Sequence, residues 1–231
     1  MPGTTTRLRY LKLIDRFTQH LVNLELRADN PAATMVAGET WPEDEPIPLY
    51  LSAEDDTCLQ RVCITTPEAS FKALRNRAIV ALFLASGVTA SELRQLRVVD
   101  LDAADSRPTV FVEKHGPRLA RRIPVEVFAV DVLRAYQDAR QRLSCATGWL
   151  FVSTGAGNLM KPNTLLKCVR TALREAGLTA ADESPRLLRN TYGRRQLIAG
   201  KTNKQVSSLL GLSSHRTATR LRQTLEGPAV L

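Results

Sequence analysis

The chain has 231 residues, 44% of them hydrophobic and 5% aromatic, with 32 Lys and Arg against 23 Asp and Glu, a formal charge of +9. That length suits one domain with an appendage, or two small domains. No apolar run approaches the roughly 20 residues that cross a bilayer, and MPGTTTRLRY has no signal-peptide core, so no membrane partner is expected. Cys58, Cys63, Cys145 and Cys168 are too scattered for a secreted disulfide scaffold, and a reducing cytoplasm is the expected location.

In residues 5–27, Leu8, Leu11, Ile14, Phe17, Leu21 and Leu24 recur at helical spacing until RADNP stops the run. Residues 28–50 are acidic and interrupted by proline, which reads as a linker. Helices are expected at 69–86 and 90–97, separated by Gly87. PTVFVEK and RRIPVEV read as the two strands of a hairpin, and GWLFVS as a further short strand. Helices follow near 127–143 and 162–176. Residues 186–225 read as three helices broken at Gly200 and at Gly211–Ser213. The fold class is therefore mainly α with a small antiparallel β-sheet, an α+β arrangement.

Charge is unevenly distributed. From Glu39 to Glu68 there are eight acids and one base, Arg61; from Arg186 to Arg222 there are nine Arg or Lys and no acid. Such a stretch repels itself and favours a polyanion, most simply double-stranded DNA, over a merely solvated arginine-rich face.

Three segments carry a family resemblance. RNRAIVALFLASGVTASELRQLRVVDLD resembles the first signature box of the tyrosine recombinases, or phage integrases. SPRLLRNTYGRRQLIAGKTNKQVSSLLGLSSHRTATRL resembles their second, and PIPLYLSAEDD resembles the start of their catalytic domain. TRLRYLKLIDRFTQHLVNLELRADNPA is similar to the last helices of their core-binding domain. The resemblance implies a helical remnant of that domain at 1–33, truncated relative to the family, a linker at 34–48 and a catalytic-domain fold at 49–231.

In that family a tyrosine attacks a DNA phosphate. Two arginines and a histidine or tryptophan neutralise the phosphoryl oxygens, and a hairpin lysine serves the leaving oxygen. Carried over one at a time, the first arginine falls on Thr89, which lacks a guanidinium fork but completes a Thr89-x-x-Glu92 capping box. Glu92 matches a supporting acid. Lys114 is the best match to the lysine, in a loop about two residues longer than the family pattern; Arg118, Arg121 and Arg122 make that hairpin basic. Arg186 replaces the histidine of His-x-x-Arg and cannot exchange protons near neutral pH, whereas Arg189 is the retained second arginine. The next family histidine is Asn190. Leu212 stands where a donor is expected, with the weak substitute His215 three residues on. Leu221 stands where the tyrosine is expected and has no oxygen. Tyr192, three residues beyond Arg189, reads as core.

No catalytic residue set is intact, and strand cleavage is not expected. The expected DNA contacts are Lys114, Arg118, Arg121, Arg122, Arg186, Arg189, Arg194, Arg195, Lys201, Lys204, Arg216 and Arg220. No cofactor or metal is expected: Cys58-x4-Cys63 lacks zinc-site spacing, and STGAGNLM, around Gly155 and Gly157, lacks the third glycine of a dinucleotide loop. Three functions fit these residues: a DNA-binding regulator or accessory factor in the nucleoid, a recombinase subunit needing an active partner or a homo-oligomer, and a protein-interaction remnant.

Overall fold

The computed structural model describes residues 4–39, 46–64, 70–103, 107–116, 118–143, 147–153 and 157–226. Cys145, Gly155, residue 69 of the expected second helix and residues 40–45 of the expected linker lie outside the described residues. Two compact units are present, Met1–Ile47 and Pro48–Leu231.

In the first unit α1 (Thr4–Asn23) packs against α2 (Pro31–Ala37). Helix α2 lies in the stretch expected to be linker. Its start has local causes: Asn30 accepts from the Ala32 amide, Pro31 takes the first helical position where no amide is needed, and Asn30 Nδ2 reaches Asp15 Oδ1 at 2.8 Å.

The second unit is built around α4 (Phe71–Ser86) and α8 (Pro185–Ile198). Every residue of α4 from Ala78 to Ser86 is buried, as an all-round apolar helix must be. It packs against α8, against α6 (Val130–Gln141), which follows a 3-10 turn at Val127–Ala129, and against α7 (Pro162–Glu175). Helix α3 (Ala53–Val62) was not anticipated as an element. Ser52 caps it, and Glu54, Asp55 and Asp56 occupy its first turn, where the helix dipole favours anions.

The hairpin forms as expected, with β2 (Thr109–Val112) antiparallel to β3 (Arg121–Pro124), Val110 facing Ile123 and Val112 facing Arg121. A two-residue strand, β1 (Leu101–Asp102), adds a third member, Leu101 against Val110. GWLFVS does not join the sheet. It makes single bridges, Trp149 to Arg97 and Val152 to Leu159. Its carbonyls are taken by side chains instead: Arg140 Nε donates to Trp149 O at 3.2 Å and Arg75 Nη1 to Val152 O at 3.0 Å.

Helix α5 (Ala90–Gln95) follows α4 after Gly87, a left-handed helix cap at φ +63°. A Cβ there would lie 2.5 Å from Tyr192 Cδ1, so glycine meets both a backbone and a packing requirement. The three C-terminal helices are α8, α9 (Asn203–Leu209) and α10 (Arg216–Glu226), with Gly200 and Gly211 in left-handed turns between them.

Candidate functional site

Glu92 organises the site. Thr89 caps α5, its amide donating to Glu92 Oε2 at 2.8 Å and its hydroxyl accepting from the Glu92 amide at 3.3 Å, so the expected capping box is present. Because the capping box turns this carboxylate inward, its side chain is 0% exposed. Arg121 meets it in a fork, Nη1 to Oε1 at 2.8 Å and Nη2 to Oε2 at 3.1 Å. Arg118 Nε stands 3.9 Å from Oε1, and Arg189 Nη1 3.9 Å from Oε2. Three guanidinium groups thus surround one carboxylate.

Burial by itself pushes the Glu92 carboxyl up. The Arg121 hydrogen bonds, the Thr89 amide and the charges of Arg121 and Arg189 outweigh it, holding the group below the usual glutamate range. Arg189 is lowered to about 10, first by burial and then by Arg121 and Arg118, against the opposing pull of Glu92. It remains charged at neutral pH.

Most of the retained arginine chemistry is spent inside the protein. Arg189 donates Nη1 to Gly87 O and Nη2 to Leu210 O at 2.6 Å, joining the turn after α4 to the end of α9. Arg121 donates Nε to Leu209 O at 2.7 Å, and a Cβ on Gly211 would lie 2.4 Å from its Nη1. Arg195 meets Asp56 at 2.9 Å, Glu126 at 3.2 Å and Leu84 O at 2.5 Å. Arg194 lies 4.3 Å over the Tyr50 ring and donates to Thr224. Lys201 donates to Gln196 Oε1 at 2.6 Å, and Arg222 to Asn203 and Lys201 O. Of the residues expected at DNA, Arg121, Arg189, Arg194 and Arg195 thus have partners within the fold for their guanidinium groups.

Other cations remain outward. Arg186 is 73% exposed on the first turn of α8, 3.4 Å from Asp182. Lys114, Arg122, Lys204, Arg216 and His215 are exposed; Arg118 and Arg220 are half-buried. His115 and Arg118 exchange backbone hydrogen bonds, and the Leu119 amide donates to Gly211 O at 3.3 Å. Lys114 and Arg118 are consequently held beside the turn that follows α9.

The positions matched to the family's third box and nucleophile are apolar in structure as well as in sequence. Leu212 is half-buried against the core. Leu221, on α10, is 0% exposed, and its Cδ1 lies 3.0 Å from where a Gly193 Cβ would stand. Tyr192 is fully buried, as read from sequence, and burial pushes its phenol above the usual tyrosine value. Asn190 Nδ2 donates to Leu49 O at 2.8 Å and Thr191 Oγ1 accepts from the Leu51 amide at 2.9 Å, tying residues 49–51 to α8. Among the described residues no cluster of three His, Cys, Asp or Glu could hold a metal ion, and no helix is long and apolar enough to cross a membrane.

Sequence reasoning missed the partners of Arg195. Asp56 and Glu126 lie in separate elements, so no local spacing marks them. The acidic run 39–68 opposite a basic run was the available signal, and Asp56 with Arg195 joins the two.

A sequence model of the phage integrase family matches residues 59–224. The chain belongs to the phage integrase family. These tyrosine recombinases include XerD of Rhizobium meliloti (strain 1021), which is 28% identical over 230 residues, spanning 96% of this chain and 71% of that protein. Among solved structures, XerA recombinase superposes with a TM-score of 0.64 at 22% identity, covering 95% of this chain and 71% of that one. The Tn1549 transposon integrase in complex with a circular-intermediate DNA superposes with a TM-score of 0.67 at 13% identity, covering 97% and 79%. The fold of this phage integrase family member is thus that of the tyrosine-recombinase catalytic domain, mostly helical with one three-stranded antiparallel sheet.

Proposed function

We propose that the protein binds duplex DNA on the recombinase scaffold and does not cut it, acting as a regulator or accessory factor. The observation that carries this reading is Leu221: at the position matched to the family tyrosine, a side chain without oxygen is sealed in the core beneath α8. Phosphoryl transfer through that position has no nucleophile. Thr89 removes a second element, since a capping hydroxyl supplies no charge to a phosphorane. Binding is supported by the cations left outward on the hairpin and the C-terminal helices, and by the DNA held by the transposon integrase of the same fold.

Internal pairing lowers the expected number of phosphate contacts. With about five contacts the log–log salt slope is about −4.5, and affinity falls about 500-fold between ~50 and ~200 mM salt. Fluorescence-anisotropy titration of a labelled duplex measures this; a slope near zero overturns the DNA reading.

Leu221→Tyr tests the absence of cleavage. The ring must enter a packed site, so the variant is expected to lose about 1–3 kcal/mol of stability. It is expected to form no covalent adduct with a nicked duplex on a denaturing gel. An adduct with the variant would overturn Thr89 as a second lost element, and an adduct formed by the unaltered chain alone would overturn the non-cutting reading. Adduct formation by the unaltered chain only beside an active integrase subunit would favour the partner-dependent alternative.

A further inference from the structure

The apolar recurrence of residues 5–27 divides into two faces on α1. Leu8 and Thr18 are buried, and Asn30 Nδ2 donates to Asp15 Oδ1 at 2.8 Å, so this side of the helix rests on α2. Tyr10, Leu13, Ile14 and Phe17 stand at i, i+3, i+4 and i+7, a single stripe about 130° round the helix from it. All four are more than half exposed, as is Leu24, which extends the stripe. Among the described residues of this unit only Leu8, Thr18 and Ala32 are buried. A helix pair with so small a core gains little from its own packing.

The stripe presents on the order of 500 Å² of apolar surface, the size of a functional patch on a monomer and of one side of a weak, transient interface. It runs about 21 Å from Tyr10 to Leu24, or about four helical turns. Its spacing is the one by which a helix receives another helix.

Charge selects what fits there. Arg9 and Arg16, seven residues apart and exposed, border the stripe on the Leu13 side. On the Ile14 side Arg7 is already neutralised by Glu39 at 3.0 Å. The one acid of α1, Asp15, is turned to α2. A second copy of α1 does not answer this pattern. In an antiparallel pair the two Arg9–Arg16 borders meet each other, and in a parallel pair each meets Arg7. A flat anionic lipid surface touches both borders, and only one is cationic.

We infer that the outward face of α1 is a docking surface for an amphipathic helix of another protein, whose apolar stripe is bordered by Asp or Glu opposite Arg9 and Arg16. The apolar side chains supply the contact; the acidic border sets its direction and excludes basic helices. This surface goes beyond the DNA-binding reading and does not depend on it.

The test uses the full chain and two labelled peptides of about 20 residues, long enough to hold a helix. Both carry leucine at i, i+3, i+4 and i+7 spacing; one is bordered by glutamate and the other by lysine. By fluorescence anisotropy the glutamate peptide is expected to bind about tenfold more tightly. Leu13→Asp is expected to weaken that binding about tenfold. Arg9→Glu combined with Arg16→Glu is expected to invert the preference, a result that loss of folding does not produce. Equal binding of the two peptides, binding unchanged by Leu13→Asp, or binding of neither overturns the proposal. A dimer in sedimentation equilibrium that Leu13→Asp dissociates would give the face to a second copy. Pelleting with phosphatidylserine vesicles that the same variant abolishes would give it to a lipid surface. Either result overturns the proposal.

Discussion

Glu92→Gln will destabilise the protein by about 3–5 kcal/mol, because removing one partner of a buried ionic cluster strands the charges left behind. The substitution keeps the shape of the side chain and removes only its charge. Arg121, now facing an amide, loses its bidentate acceptor, and the three guanidinium groups repel one another without a counter-ion. An exposed carboxylate in an ion pair would cost only about 0–1 kcal/mol, so the magnitude separates the two situations.

The pH dependence follows from the same group. Glu92 is held below its ordinary value, so its stabilisation is present above the unfolded-state value and is lost as pH falls through the lower folded-state value. The variant should lack that acid-side loss. Urea unfolding followed by circular dichroism measures both effects; a deficit under about 1 kcal/mol would mean that water reaches Glu92.

Arg195→Met will destabilise at neutral pH by a similar amount, about 3–5 kcal/mol. Here the stranded charges are two carboxylates. Asp56 and Glu126 both lie against the Arg195 guanidinium, which also donates to Leu84 O. Burial raises both carboxyls above their ordinary values even with the arginine in place, and Arg195 is the strongest influence pulling each back down.

The sign is opposite to that of Glu92. A raised acid contributes stability below its unfolded-state value, and that contribution is lost as pH rises through the folded-state value. Without Arg195 both values climb further, so the deficit of Arg195→Met should be full at about pH 7.5 and shrink markedly at about pH 4.5 as the acids take up protons. Unfolding midpoints at the two pH values provide the measurement. A deficit that does not change with pH would assign the loss to the guanidinium's place over the Phe128 ring rather than to stranded charge.

The same arginine illustrates how little of a guanidinium's surroundings local sequence reveals. Arg194 and Arg195 are adjacent on α8 and were both expected at DNA; one stacks on Tyr50 and the other closes an acidic pair with α3. In the hairpin, Arg121 and Arg122 were likewise grouped. Strand periodicity already separated them, since alternate residues face opposite sides. Arg121 shares the buried face with Ile123, and Arg122 lies on the exposed one with its guanidinium over Phe111. On α8, every residue from Leu187 to Gly193 is buried, Arg189, Asn190 and Thr191 included, which the arginine-rich sequence does not suggest.

The sequence by itself determined the family, the helix–hairpin–helix order, the Thr89 capping box and the identity of Leu221. These are local facts, carried by periodicity, by cap spacing and by which atoms a side chain contains. Only the tertiary structure decided which guanidinium groups find partners inside the fold. Arg189 finds its acceptors at Gly87, 102 residues away, and Arg195 meets Asp56 at a separation of 139. An inward guanidinium is stable only where such distant carbonyls and carboxylates converge, and no local spacing encodes that convergence. The net charge of +9 therefore measures composition, while the surface offered to a phosphate backbone is set by how the chain closes on itself.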